Sequence, residues 1–138
     1  MNRARFFLDT AFVQALLNQR DEYHMQAKTF LPRLGVAQVW VTEAVLIEVG
    51  NALSSLNRAV VVPFIKQCYQ TANMHVVTVD TALLNRALKL YQDREDKTWG
   101  LTDCISFMVM QDQDLIQALT TDEHFVQAGY RALLLEDK

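Results

Sequence analysis

Five short apolar runs, separated by segments with helical spacing, constrain the fold of this chain most strongly. The runs lie at residues 5–8, 37–41, 75–79, 115–119 and 131–135. Because they are continuous rather than alternating, they indicate strands buried on both faces of a parallel sheet. Strands that alternate with helices in this way predict a three-layer α/β/α sandwich around a mostly parallel, five-stranded sheet.

The helix boundaries and the chain length favour one compact domain. We expect Thr42, Asp80 and Thr102 to be helix N-caps, and Pro63 to lie in the first turn of a helix. Only four Gly and two Pro are present, which disfavours an all-β sandwich with many tight turns. With short connections and no linker, residues 1–138 are predicted to form a single domain.

The net charge of −3, from 13 basic and 16 acidic residues, is not that of a passive nucleic-acid binder. It leaves a nuclease possible, because a bound divalent cation inverts the local charge of an acidic site.

No run approaches the ~18 apolar residues of a membrane span, and no signal peptide is recognisable. Cys68 and Cys104 lack CxxC spacing and are expected as buried free thiols. A soluble cytoplasmic protein is therefore expected.

Several carboxylates follow the predicted strands. In an open α/β sheet, ligands bind beyond the carboxyl ends of the strands. Asp9, Asp80 and Asp122 follow the first, third and fourth strands. For any one of them alone, an ordinary helix N-cap is the simpler explanation. Asp103 lies at the start of the apolar segment "WGLTDCISFMVM", where the helix dipole favours a negative charge by about 0.3–1 kcal/mol.

Glu48 is harder to explain as an ordinary surface acid. It lies three residues after Val45 and four before Ala52, and this spacing predicts that it shares the apolar face of a helix. A carboxylate aimed at the core is costly unless it is paired with an arginine or binds a metal. The sequence leaves both possibilities open.

Convergence of Asp9, Glu48, Asp103 and Asp122 would place four negative charges in one pocket. Their repulsion would raise some of their pKa values and destabilise the fold. Mg²⁺ or Mn²⁺ prefers oxygen ligands, keeps several waters and suits phosphate substrates. Convergence of these acids would therefore predict a divalent-cation site.

The four segments that carry these acids resemble, in order, the motifs of the PIN domain family. They are "FLDTAFVQALL", "VTEAVLIEVGNAL", "WGLTDCISFMVM" and "ALTTDEHFVQAGY". The resemblance spans essentially the whole chain and is most specific in the third segment. One departure is Glu123, at a position where a basic or neutral residue is commoner.

The resemblance implies a Mg²⁺- or Mn²⁺-dependent endoribonuclease that hydrolyses RNA. It assigns metal binding and catalysis to Asp9, Glu48, Asp103 and Asp122, and supporting hydroxyls to Thr10, Ser106 and Thr120. Many small members of the family are VapC-type toxins, usually homodimers, which a small antitoxin protein holds inactive. We therefore expect an RNA substrate, an antitoxin partner and a homodimer.

Three alternatives remain at this level: an RNA-processing PIN nuclease that is not a toxin, a catalytically silent interaction module, and a phosphotransfer domain with Asp9 as nucleophile. A haloacid-dehalogenase-like enzyme would need a second acid where Ala11 stands.

His24 and His124 are predicted to be surface histidines, because no Cys/His spacing supports a zinc site. Candidate phosphate contacts are Arg3, Arg5, Arg20, Arg94 and Lys97.

Overall fold

A computed structural model describes residues 3–136, in which five strands form one sheet in the order β3-β2-β1-β4-β5. The strands are β1 (Arg5–Leu8), β2 (Gln38–Thr42), β3 (Met74–Val77), β4 (Gln117–Leu119) and β5 (Arg131–Ala132). Every neighbouring pair is parallel. The predicted α/β sandwich with a five-stranded sheet is therefore confirmed.

The helices connect strands that all run in the same direction. They are α1 (Thr10–Leu17), α2 (His24–Leu34), α3 (Glu43–Ala52), α4 (Arg58–Gln70), α5 (Thr81–Asp93), α6 (Leu101–Asp112), α7 (Glu123–Gln127) and α8 (Leu133–Glu136). The chain crosses the sheet in one direction from β1 to β3 and in the other from β3 to β5. With right-handed crossovers, α1–α4 cover one face and α5–α7 the other. The direction reverses between β1 and β4, and ligands bind at such switch points.

An aromatic cluster fixes the elements around this switch point. Phe7 of β1 is fully buried, and its ring lies 6.2 Å from that of Phe125 in α7. Phe125 in turn meets Phe107 of α6 edge-to-face, at 5.0 Å between ring centroids. Large buried rings dominate core energetics, so this packing holds β1, α6 and α7 in a fixed relation.

Two of the three predicted helix caps are confirmed. The Thr42 hydroxyl accepts from the Val45 N–H at 3.1 Å, and the Asp80 carboxylate accepts from the Leu83 N–H at 2.8 Å. The cap predicted at Thr102 is wrong, because α6 begins at Leu101.

Two boundaries also differ from the sequence prediction. Helix α4 begins at Arg58, so Pro63 lies inside the helix rather than in its first turn. The last strand ends at Ala132, and α8 follows where strand was expected. A short apolar run does not distinguish a strand from a buried helical turn, so its periodicity could not predict that Leu133–Glu136 is helical.

Two further features bear on the chain's chemistry. Cys68 and Cys104 are buried free thiols, as expected. Across residues 3–136 the helices are too short or too polar to span a lipid bilayer.

Candidate metal centre

Asp9 lies at the switch point, directly after β1 and beside the end of β4. Its N–H donates to the carbonyl oxygen of Leu119 at 3.2 Å, and its Oδ2 accepts from the Thr120 hydroxyl at 2.7 Å. The residue is only 4% exposed. Burial raises the pKa of Asp9 to about 7 although the Thr120 hydrogen bond opposes this, and the charges of Asp103 and Asp122 contribute to the rise. A nearby cation would favour its ionised form.

Thr120 connects two of the predicted ligands. The fully buried hydroxyl donates to Asp9 and accepts from the N–H of Asp122 at 3.0 Å. One side chain therefore fixes both the Asp9 carboxylate and the backbone that carries Asp122. This geometry suits the supporting role predicted for Thr120.

Asp103 and Asp122 approach the same place from the first turn of α6 and the N-cap of α7. Oδ2 of Asp103 accepts from the Gly100 N–H at 3.0 Å, so this acid closes the first turn of α6. Burial raises the pKa of Asp103 above its usual range, and the nearby Asp122 charge adds to the rise. Asp9, Asp103 and Asp122 are therefore electrostatically coupled, and we call them the acid cluster.

His124 is predicted to be a surface histidine, but the structure places it partly buried in this site, against two of the acids. Its Nδ1 lies 2.9 Å from Oδ2 of Asp103 and 3.3 Å from Oδ1 of Asp122. Its Nε2 lies 3.2 Å from the Thr98 hydroxyl, and its side chain is 26% exposed. The position two residues after Asp122 could have signalled the contact with that acid. The contact with Asp103 depends on how α6 and α7 pack.

The predicted orientation of Glu48 is wrong. The buried face of α3 is formed by Val45, Leu46 and Val49, whereas Glu48 and Ala52 are exposed. At 100° per residue, Leu46 shifts the centre of the buried face away from Glu48. Within residues 3–136 Glu48 makes no hydrogen bond or ion pair, so the structure does not support its pairing with an arginine. Its role as a metal ligand stays a prediction.

The other two predicted hydroxyls differ in their surroundings. Ser106 is buried and donates to the carbonyl of Thr102 within α6, at 3.0 Å. Thr10 follows Asp9, and its buried Oγ1 has no hydrogen-bond partner in the described part of the chain. Such an unsatisfied hydroxyl costs about 1–3 kcal/mol. A hydrated ion beside Asp9 would bring water within reach of that region.

The donor set fits a divalent cation. One ligand atom each from Asp103, Asp122 and His124 lie within 4.8 Å of one another. Asp9 is not among these three, but its more deeply buried carboxylate interacts electrostatically with Asp103 and Asp122. Carboxylate oxygens are the ligands that Mg²⁺ and Mn²⁺ bind, and an imidazole nitrogen extends the range to other transition metals.

Two of the five basic candidates for phosphate contacts are engaged elsewhere. The Arg5 guanidinium lies 4.7 Å over the Trp40 ring and donates to main-chain carbonyls, at the amino-terminal end of β1. Arg94 pairs with Asp96 at 3.0 Å and lies 5.0 Å over the Trp99 ring. The other three candidates stay predictions, and Glu123 is exposed beside the site.

Solved structures share this fold. VapC20 of Mycobacterium tuberculosis, a sarcin–ricin loop cleaving toxin, superposes with a TM-score of 0.81 at 23% identity, over 91% of this chain and 95% of that one. FitAcB of Neisseria gonorrhoeae superposes with a TM-score of 0.60 at 15% identity, over 92% of this chain and 94% of that one. DNA-bound VapBC of Salmonella typhimurium superposes with a TM-score of 0.62 at 16% identity, over 94% of this chain and 96% of that one.

No protein-family model and no curated protein matches the sequence. The likeness to these structures, at low identity, establishes the fold. The chain has the fold of VapC-type PIN domains, as its motifs predict.

Proposed function

We propose that this chain is a metal-dependent endoribonuclease and the toxin of a type II toxin–antitoxin pair. The observation that carries the proposal is the acid cluster at the switch point, in which Asp9 is buried without a basic partner. Three coupled carboxylates without a guanidinium or ammonium among them indicate a cation site rather than a structural ion pair. The fold shared with a sarcin–ricin loop cleaving toxin supports the proposed function.

The residues of the cluster have distinct tasks in this mechanism. A bound Mg²⁺ or Mn²⁺ would neutralise phosphate charge and activate a water molecule for in-line attack on the phosphodiester. Asp9, Asp103 and Asp122 would hold the cation, with Glu48 as the predicted fourth ligand. Thr120 orients Asp9 and fixes the backbone at Asp122, so the ligands are positioned before substrate arrives.

The cleavage experiment uses the purified protein with a hairpin RNA. We expect no cleavage in the presence of a chelator and restored cleavage with Mg²⁺ or Mn²⁺. Asp9→Asn should abolish it while the folded state persists, because the change removes a ligand and leaves packing intact. The products should carry 5′-phosphate and 3′-hydroxyl ends. Cleavage that survives chelation, or products with a 2′,3′-cyclic phosphate, would contradict the mechanism.

The toxin assignment requires a separate experiment in cells. Induced expression should arrest growth. Where a small reading frame flanks the gene, its co-expression should restore growth. The partner is proposed to be a small antitoxin protein, and the toxin a cytoplasmic homodimer. An active nuclease whose expression is harmless would instead be an RNA-processing enzyme. A protein that binds metal but cleaves no RNA would be an interaction module.

A further inference from the structure

The contacts of His124 are those of a metal ligand as well as those of a hydrogen-bonding residue. Two ligand atoms at adjacent corners of an octahedral cation, each about 2.1 Å from it, lie about 3 Å apart. Nδ1 of His124 lies 2.9 Å from Oδ2 of Asp103 and 3.3 Å from Oδ1 of Asp122. These two separations suit a shared ion, and ligand atoms of the three residues lie within 4.8 Å of one another.

The second ring nitrogen is held as in a ligating histidine. A metal-bound imidazole donates its other N–H to a nearby acceptor, which fixes both the tautomer and the ring orientation. Nε2 of His124 lies 3.2 Å from the Thr98 hydroxyl. In the metal-free protein Nδ1 donates to Asp103. With a cation bound, the hydrogen would lie on Nε2, where Thr98 would accept it, and the Nδ1 lone pair would face the cation.

The main chain also holds the ring in place. The His124 N–H donates to Oδ1 of Asp122 at 2.9 Å, so this acid and His124 are linked through the first turn of α7. Phe125, the next residue, is fully buried and anchors that turn against Phe107 of α6. The imidazole is therefore positioned by three independent contacts rather than extending freely into solvent.

We propose that His124 is a nitrogen ligand of the metal centre and that it makes the site prefer Mn²⁺ to Mg²⁺. The inference depends on the proposed function for the metal site itself and adds the identity of a ligand and the selectivity it confers. Mg²⁺ demands oxygen ligands, whereas first-row transition metals also accept imidazole. Thr98 is then a positioning residue that keeps Nδ1 available.

Pulsed electron paramagnetic resonance of bound Mn²⁺ tests the ligand directly. The wild type should show a coupling from a directly bound nitrogen, which changes when the histidines carry ¹⁵N. His124→Asn should lose the coupling. His24→Asn is the matched control and should keep it, because His24 bonds to the Ala15 carbonyl and lies outside the metal centre. Mn²⁺ bound to the wild type without nitrogen coupling would overturn the inference.

Calorimetric titration tests the selectivity. His124→Asn should weaken Mn²⁺ binding by about 10-fold or more and leave Mg²⁺ binding nearly unchanged, and Thr98→Val should give a smaller loss for Mn²⁺. Equal losses for both ions would overturn the inference, because a residue that only orients Asp103 and Asp122 would affect both. If the wild type cleaves RNA with Mg²⁺ and shows no preference for Mn²⁺, only this inference fails. If neither ion binds, the proposed function fails with it.

Discussion

Helix α6 carries a carboxylate at each end, and the two have opposite electrostatic surroundings. Asp112, the last residue of α6, forms a two-pronged ion pair with Arg86 of α5, with both N···O distances at 2.7 Å. That pair lowers the pKa of Asp112. Asp103, in the first turn, lies beside Asp122 and Asp9, and burial raises its pKa.

The two ends of α6 differ in whether a basic side chain offsets the negative charge of the acid. The helix dipole opposes an acid at the carboxyl end of α6, and Arg86 compensates for it there. The dipole favours Asp103, yet no arginine or lysine in the described part of the chain pairs with it or with the other members of the acid cluster. A group of acids with no arginine or lysine partner, at the opposite end of α6 from an acid that has one, suits a cation site.

The largest expected effect is on catalysis, and the two ends of α6 provide matched variants. Asp103→Asn should lower the rate of RNA cleavage by more than about 100-fold, because even indirect changes at metal ligands cost 10- to 100-fold. Asp112→Asn, the same chemical change on the same helix, should leave the rate nearly unchanged. Cleavage rates at saturating Mg²⁺ or Mn²⁺ measure both. Equal losses of cleavage rate in Asp103→Asn and Asp112→Asn would contradict a special role for the acid at the start of α6.

The next effect is on stabilisation by metal. A ligand that binds only the folded state raises stability by mass action, by about 2.7 kcal/mol at a concentration of 100 times its Kd. The melting temperature of the wild type and of Asp112→Asn should rise on addition of Mn²⁺. The rise should be much smaller for Asp103→Asn. A full rise in Asp103→Asn would place the metal elsewhere.

A smaller effect concerns the pH dependence of the metal-free protein. The pKa of Asp9 is about 7 in the folded state against an ordinary value of 3.8, so the folded protein retains a proton that the unfolded chain has lost. The free energy of unfolding should therefore fall as the pH rises from about 4 to about 7, and then level off. Denaturant titrations should show this slope in the wild type and in Asp112→Asn, and a flatter one in Asp9→Asn. An unchanged slope in Asp9→Asn would show that other groups cause it.

The smallest effect is on the stability of the metal-free protein at neutral pH. Asp103→Asn should raise its melting temperature slightly, because it removes repulsion and keeps an oxygen that accepts from Gly100. Asp112→Asn should lower it slightly, and high salt should shrink that change, since its pair with Arg86 is largely exposed. Scanning calorimetry at two salt concentrations measures both. Changes of the same sign in both variants would contradict the contrast between the two ends of α6.

The sequence predicted the positions of the acid cluster because they follow from the chain's order. Asp9 directly follows a buried strand, and Asp122 follows another after two threonines, so a parallel sheet brings them to one edge. Glu48 shows the limit of such reasoning. Its spacing from Val45 suggested burial, but the buried face of α3 is centred nearer Leu46. Which side of a helix is covered depends on its neighbours.

The sequence by itself determined the parallel sheet, the order of the motifs and three carboxylates at one edge, because apolar periodicity and strand ends are local properties. Only the tertiary structure decided that His124 bridges Asp103 and Asp122, that Thr120 joins Asp9 to the backbone at Asp122, and that Asp112 is neutralised. The contacts of His124 with Asp103, of Thr120 with Asp9 and of Arg86 with Asp112 each join elements distant in the chain. Side-chain distances of about 3 Å between them follow from the packing of α5, α6 and α7, which the pattern of residue types does not encode.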